Sequence, residues 1–511
     1  MPVAACVDPP RGPALNLFTD VTKDSGVDFE YESPDFKGGG LAVVDLDGDG
    51  RPDIVATRRT GGVAVFFNRG GLRFAQATAT GIDPTLAINS VAAADLDNDG
   101  DADLVLAGTG TAYVYANNGD GTFTKAAEFD NSGRTEQVLP VDINGDGLLD
   151  LFVSNYDLVD AASSVSRLYL NLGGLTFTPT PLAIAGATST GATWATTAFD
   201  ADGDGDQDLY LANDTLLIDF GRSVPGVPTT STMQPDLFLR NDGIGSDGAP
   251  HFTNIAPALG LAQPRSSMGG LLADFDGDGQ LDLYVPNDGA KKLFVRDPAT
   301  GYDERAAMMG VEAAIRVNNQ CSASSDDEDC VLLSWSAAAS DFDLDGYDEL
   351  LVVNGVTPLM SVPPVLMFER GPQAAYHEVS PDISCIDGHG LVVTDLDGDG
   401  DQDIAIAQNN GPLVIYETRG TPDPTAWLRV RLQGTTSNRD GIGALVTVTM
   451  ASGRTQQRVI GSGGVINSAL VPEAFFGLGA DPATRVTVQW PSGRESDIAM
   501  PGSGELLIQE P

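Results

Sequence analysis

Aspartate stands at every second position of DLDGDGRPD, Asp45 to Asp53, with two glycines between the acids. Such a stretch disfavours helix and strand alike, and its carboxylates repel one another. The pattern returns six more times: DLDNDGDAD from Asp95, DINGDGLLD from Asp142, DADGDGDQD from Asp200, DFDGDGQLD from Asp274, DFDLDGYDE from Asp341 and DLDGDGDQD from Asp395. Acids fall at positions 1, 3, 5 and 9, with glycine at 6. In a tightly curled loop alternate positions aim inward, the glycine permits the sharp turn, and position 7 offers its carbonyl. Six or seven hard oxygen donors around such a cavity suit Ca²⁺ better than Mg²⁺, which holds its waters and demands octahedral geometry.

The candidate ligands are Asp45, Asp47, Asp49 and Asp53; Asp95, Asp97, Asp99 and Asp103; Asp142, Asn144, Asp146 and Asp150; Asp200, Asp202, Asp204 and Asp208. To these the last three loops add Asp274, Asp276, Asp278 and Asp282; Asp341, Asp343, Asp345 and Glu349; and Asp395, Asp397, Asp399 and Asp403. Up to seven Ca²⁺ are expected, the third and sixth sites differing because Asn144 replaces an acid and Glu349 closes its loop. An EF-hand shares the early spacing but closes with Glu at position 12, where this chain has Ala56, Leu106, Val153, Leu211, Val285, Val352 and Ile406. The ninth-position acid therefore completes the expected shell.

Charge agrees with a cationic ligand. The 28 Lys+Arg against 72 Asp+Glu leave a net charge of −44, which argues against nucleic acid and anionic lipid. Seven Ca²⁺ would cancel fourteen of those charges. No apolar run is long enough to span a membrane, and no charged, then apolar, leader is visible, although MPVAAC resembles the end of a bacterial lipoprotein signal with Cys6 as its anchor. Cys321 and Cys330 flank the polar loop SASSDDED, spacing that suits a local disulfide; Cys6 and Cys385 remain, and four cysteines allow three connectivities.

The elements that position the acids can be read from what flanks them. Each loop follows a short apolar run (LAVV, VAAA, LLA, LVVT) and precedes another (IVA, LVLA, LFVS, LYLA, IAIA), which reads as a β-hairpin. Third strands such as VAVFFN and AYVYAN and fourth strands such as LRFAQAT follow. Loop starts lie 47 to 74 residues apart, the size of a four-stranded propeller blade with insertions.

These loops and strands resemble the FG-GAP/VCBS repeats of integrin-α-type propellers from about residue 16 to 420. That resemblance implies an all-β, seven-bladed β-propeller with Ca²⁺ in the blade loops, after an N-terminal extension of residues 1–15. The last repeat ends after LVIYE and lacks a fourth strand; LFTDVTKDSGV resembles fourth-strand segments, so residues 16–22 are expected to close the final blade, with a Cys6–Cys385 bond locking it. From Trp427 alternation in LRVRL, VTVTM and RVTVQW reads as a small β-sandwich-like domain, 427–511. Its SNRDGIGA, FGLG and WPSG resemble ASPIC/UnbV motifs, with Phe475 where members often have His. The combination is that of the cartilage acidic protein-like family, described as secreted or surface-attached and interaction-related.

The function expected is an extracellular calcium-binding scaffold for a protein or glycan partner, with adhesion as its role. The insertions at 214–236 and 303–333 are the expected partner surface. The alternative is a secreted enzyme working at the propeller mouth or against the C-terminal domain. His251, His377 and His389 have no metal-binding spacing; His389, Glu136 and Trp194 are placed to face the central channel, where a wall role is the simpler reading. Arg439 and Asp440 read as a pair or a turn cap, and GSGG at 461–464 as a lone turn. No nucleophile motif is present.

Overall fold

A computed structural model describes residues 13–32, 38–157, 164–215, 235–312, 333–355, 363–371, 374–419, 427–469, 471–499 and 503–511. Cys6, Cys321, Cys330 and most of both predicted insertions lie outside these residues. Among those described, the helices are single turns, Thr22–Ser25, Ala256–Leu259 and Ala306–Met309, and the rest of the regular structure is β.

The fold is a β-propeller. Blade 1 runs Leu41–Val44, Asp53–Thr57, Val63–Asn68 and Phe74–Gln76, each strand antiparallel to the next. The first two strands are buried throughout, because neighbouring blades cover both faces; this is why they read as unbroken apolar runs rather than as alternation. The same plan repeats around the ring, with inner strands Ser90–Ala94, Thr193–Phe199, Leu271–Ala273, Leu333–Ser340 and Gly388–Thr394. Blade 3 takes its inner strand from a shared element: Phe123–Val141 serves blade 2 through its first half and blade 3 through its second.

Apolar cores lie between successive blades, and one joins the last to the first: Val392, Ala405 and Ile415 share a cluster with Leu41, Ile54 and Phe66. The early chain clasps two blades. Ala14–Leu15 lies parallel to Ser380–Pro381 of blade 6, and Phe18–Asp20 lies antiparallel to Tyr416–Thr418 as the outer strand of blade 7.

The C-terminal residues form two further sheets. Trp427–Gln433 lies between Glu473–Gly477 and Gly504–Gln509, and Leu445–Met450 is central in the second with Thr455–Val459, Ala483–Gln489 and Glu495–Ala499. One segment leaves them. GSGGVINSA, residues 461–469, is no lone turn but threads along the inner strands of the propeller. Ser468–Ala469 pairs with Leu41–Ala42 of blade 1; Asn467 N–H reaches the Glu136 carbonyl of blade 3 at 2.9 Å, and Gly464 N–H the Thr196 carbonyl of blade 4 at 2.9 Å. Gly270 N–H of blade 5 reaches the Gly464 carbonyl at 3.3 Å, Ile466 packs with Trp335 of blade 6, and Asn467 Nδ2 meets His389 Nδ1 of blade 7 at 3.3 Å.

Candidate metal centres

All seven acidic loops are tied by the same three backbone bonds. The position-6 glycines, from Gly50 to Gly400, donate their N–H to the position-1 carboxylate at 2.6–3.0 Å. The position-9 carboxylate accepts the N–H of position 2 at 2.9–3.1 Å. Position 5 accepts the N–H of position 7 at 2.8–3.1 Å. These bonds curl the loop and leave further lone pairs facing inward. Carboxylate oxygens of Asp45, Asp47 and Asp53 lie within 4.8 Å of one another, as do those of Asp200, Asp202 and Asp208, of Asp274, Asp276 and Asp282, and of Asp341, Asp343 and Glu349; in the second loop the gathered acids are Asp95, Asp97 and Asp99. Each group could hold a metal ion.

Burial, reinforced by the neighbouring acids, pushes Asp53, Asp103, Asp150, Asp208 and Asp282 up to about 7. Asp142 and Asp397 rise to about 6 for the same reason, while Glu349 and Asp403 are held well above the carboxylate range. Asp47 Oδ1 and Asp97 Oδ1 are buried without a hydrogen-bond partner. Clustered, desolvated acids with orphan oxygens are a poor arrangement for protons and water and a suitable one for a hard divalent cation.

Sequence reading missed the residues that join one loop to the next. In blades 1 to 4 the third strand carries Asn68, Asn117, Asn171 and Asn241, whose Nδ2 donates across the blade boundary to the position-2 carbonyls Leu396, Leu46, Leu96 and Ile143 at 2.7–3.0 Å. The backbone N–H of each also reaches the second oxygen of its own position-9 acid at 2.7–2.9 Å. Every such Asn accepts from the glycine two residues on. The signal was an N-x-G triplet after each third strand: NRG, NNG, NLG, NDG. Arg296 takes this place in blade 5, reaching Ala201 O at 3.4 Å.

The C-terminal sheets lie against this acidic face. Arg429, buried, is 3.2 Å from Asp395 Oδ2, and Arg439 is 3.6 Å from Asp95 Oδ2. Asp95 N–H donates to Asp440 Oδ2 at 2.9 Å, and Arg439 N–H to Asn98 Oδ1 at 2.8 Å. Arg458 grips Asp348 with two bonds of 2.6 and 2.8 Å.

Comparison with known proteins matches residues 45–106 and 95–153 to the FG-GAP-like repeat and residues 434–511 to "ASPIC and UnbV". Residues 45–153 are thus similar to FG-GAP-like repeats and residues 434–511 to the ASPIC/UnbV domain. It is similar to cartilage acidic protein 1 of Mus musculus, 28% identical over 295 residues, covering 54% of this chain and 42% of the relative. The Homo sapiens protein of that name is 27% identical over 295 residues, covering 54% and 41%. The match thus spans about two fifths of the length of these curated relatives. Among solved structures, an Agrocybe aegerita lectin recognising non-reducing terminal N-acetylglucosamine is 16% identical with a TM-score of 0.40, covering 74% of this chain and 94% of that one.

Two of the ASPIC/UnbV motifs touch the repeats. SNRDG meets the second loop as described. FGLG meets the sixth: a Cβ on Gly477 would lie 1.7 Å from Asp341 Oδ2, so only glycine permits that approach. Phe475 is buried and stacks on Trp427 with ring centroids 6.2 Å apart.

The remaining candidates divide by place. His251 and His377 are surface residues beside Asp247 and Glu369 at 3.0 and 3.2 Å. His389, Glu136 and Trp194 are buried at the starts of inner strands. His389 is held neutral, its pKa well below the ordinary value through burial and the Arg59 charge. Glu136 pairs with Arg59 and, at 3.0 Å, with Arg134. Trp194 stacks on Tyr156 with centroids 3.8 Å apart and donates Nε1–H to Asp214 at 3.3 Å. Among the described residues, no helix is long and apolar enough to cross a membrane.

Proposed function

We propose that this protein is an extracellular scaffold whose propeller is held rigid by Ca²⁺ in its acidic loops and which binds a protein or glycan partner. The observation that carries the reading is the sevenfold recurrence of one loop geometry, in which backbone N–H groups fix carboxylates that face one another with oxygens to spare. Asp45, Asp47, Asp49 and Asp53, and their counterparts in the other loops, would hold the ions, with Asn144 and Glu349 giving the third and sixth sites a different donor set. Bound Ca²⁺ supplies electrostatic cross-linking between the two strands of each hairpin, so binding and folding are coupled. Outside cells the ion is abundant enough for weak sites of this kind to fill.

Cysteine chemistry supports the compartment. Cys385 is disulfide-bonded, and its partner lies outside the described residues. The parallel pairing of Ala14 with Ser380 brings the early chain beside it, which favours Cys6–Cys385 and, by remainder, Cys321–Cys330. A Cys6 so bonded has no thiol for the lipid anchor that MPVAAC resembles. Disulfides persist in oxidising compartments.

Segment 461–469 lies along the inner strands, and the cavity beside it is about 140 Å³, below the size of a usual small-ligand site, which supports a scaffold over an enzyme working there. Calorimetric titration of Ca²⁺ into chelator-treated protein, with melting curves in both states, tests the proposal. Several equivalents should bind and raise the melting temperature by more than about 10 °C. A melting curve indifferent to chelator defeats it. Peptide mapping of the non-reduced protein checks the disulfides, and fractionation of the producing cell checks the location.

A further inference from the structure

A cavity of about 880 Å³ opens between the fifth and sixth acidic loops and the ASPIC/UnbV domain. Its size is that of a small-ligand site. Four guanidinium groups line it, Arg305, Arg370, Arg454 and Arg458, in a chain with only 28 basic residues against 72 acids. Two are already committed: Arg458 to Asp348, and Arg305 to Asp303 and Asp276 at 3.1 and 3.6 Å. The other two are not. Among the described residues neither Arg370 nor Arg454 has a carboxylate within 4.0 Å, and Arg454 spends one donor on the Gly346 carbonyl. Both lie over Tyr347, 5.1 and 4.6 Å from its ring centroid, which fixes their spacing.

Arg370 is singular for a second reason. It occupies the strand position that carries the latching Asn in blades 1 to 4 and Arg296 in blade 5, yet it makes no bond to the preceding loop. Its side chain instead lies along Gly277, into the cavity. Fork-shaped donors without partners are suited to carboxylate or sulfate. The wall also presents Thr455 and Gln456, polar side chains outside the acidic loops and suited to hydroxyl groups. Beside them Met308 and Tyr347 are exposed, a small apolar margin.

We propose that this cavity binds an acidic saccharide, its sulfate or carboxylate between Arg370 and Arg454 and its hydroxyls on Thr455 and Gln456. An acidic peptide would offer the anion without the hydroxyls. The inference goes beyond the calcium reading and rests on a different feature: neither arginine is in a contact ion pair, the carboxylates of Asp274 and Asp276 acting on Arg370, and that of Asp345 on Arg454, only from farther off.

The test is calorimetry on the full-length, calcium-equilibrated protein with three probes: a heparin-derived tetrasaccharide, a tetragalacturonate and a neutral tetrasaccharide, with hexaglutamate as a fourth. At least one acidic saccharide should bind, and Arg370→Ala and Arg454→Ala should each weaken it tenfold or more. Arg370→Lys should recover only part, because a point charge replaces a fork. Arg485→Ala, outside the cavity, should bind as wild type. Melting curves confirm that the variants are folded, and melting with chelator reports on calcium independently. Equal binding of the neutral probe, equal or tighter binding of hexaglutamate, or acidic-saccharide affinity untouched by both arginine substitutions overturns the proposal.

Discussion

Glu510 accepts the Ser492 hydroxyl on one carboxylate oxygen and gathers the N–H groups of Thr435, Thr436 and Ser437 on the other at 2.6–2.9 Å, and against its own burial the Ser492 bond first and these N–H bonds after it hold it down to about 2. A carboxylate depressed in the folded state stabilises it above the unfolded pKa, near 4.5 here, and that contribution fades as pH falls through 2. Glu510→Gln should therefore cost about 2 kcal/mol near neutrality after allowance for screening, and almost nothing near pH 2; urea melts of both proteins across pH check this. Asn117 makes a harder demand. Its amide serves Leu46 O across the blade boundary, buried, and Ala102 O of its own loop, partly buried, at 3.0 Å each, so Asn117→Ala strands both carbonyls and should destabilise by about 2 kcal/mol. Asn117→Asp should be worse, since it turns an acceptor toward acceptors. A loss under about 0.5 kcal/mol for the alanine would mean that water takes over the joint.

At the scale of elements, segment 461–469 is tightly constrained backbone. Gly464 sits at φ +82°, and a Cβ there would lie 1.9 Å from Gly270 O and 2.7 Å from Thr197 Oγ1. Gly464→Ala should cost about 3 kcal/mol or more, with amide exchange rising in 461–469 and in the inner strands of blades 4 and 5 together; exchange confined to the ASPIC/UnbV sheets would contradict the placement. Nothing local announced this. Acidic loops and buried hairpins were legible because their chemistry is written within nine residues, and the ASPIC/UnbV strands because alternation is a local signal. The axial course of GSGGVINSA depends on seven inner strands scattered between residues 41 and 394, and a glycine pair reads the same in a turn as in a crowded channel. The Asn latches fall between these cases: N-x-G was visible, but its partner lies a whole repeat earlier.

For the molecule as a whole, a net charge of −44 concentrated in seven loops makes self-repulsion a property of one face. Chelator-treated protein should gain melting temperature steeply with added NaCl between about 10 and 300 mM, as screening shortens to within a loop spacing, whereas calcium-saturated protein should respond weakly; parallel salt dependences would contradict a cationic counter-charge in those loops. The ASPIC/UnbV arginines at Asp95 and Asp395 are counter-charges to that repulsion, so their contacts should persist when calcium is stripped at low salt and weaken as salt is added. The clasp of residues 14–20 over blades 6 and 7 has a consequence of another kind. Phe18 cannot find its partner strand until Thr418 has left the ribosome, and at about 5–20 residues per second that interval is about 20–80 s. Throughout it, blade 1 can form while the ring stays unsewn and the earliest strand remains a sticky, unpaired ribbon. A cell making this chain must therefore shelter its beginning until its end arrives, and translation speed through blade 7 should govern yield more strongly than any single surface substitution.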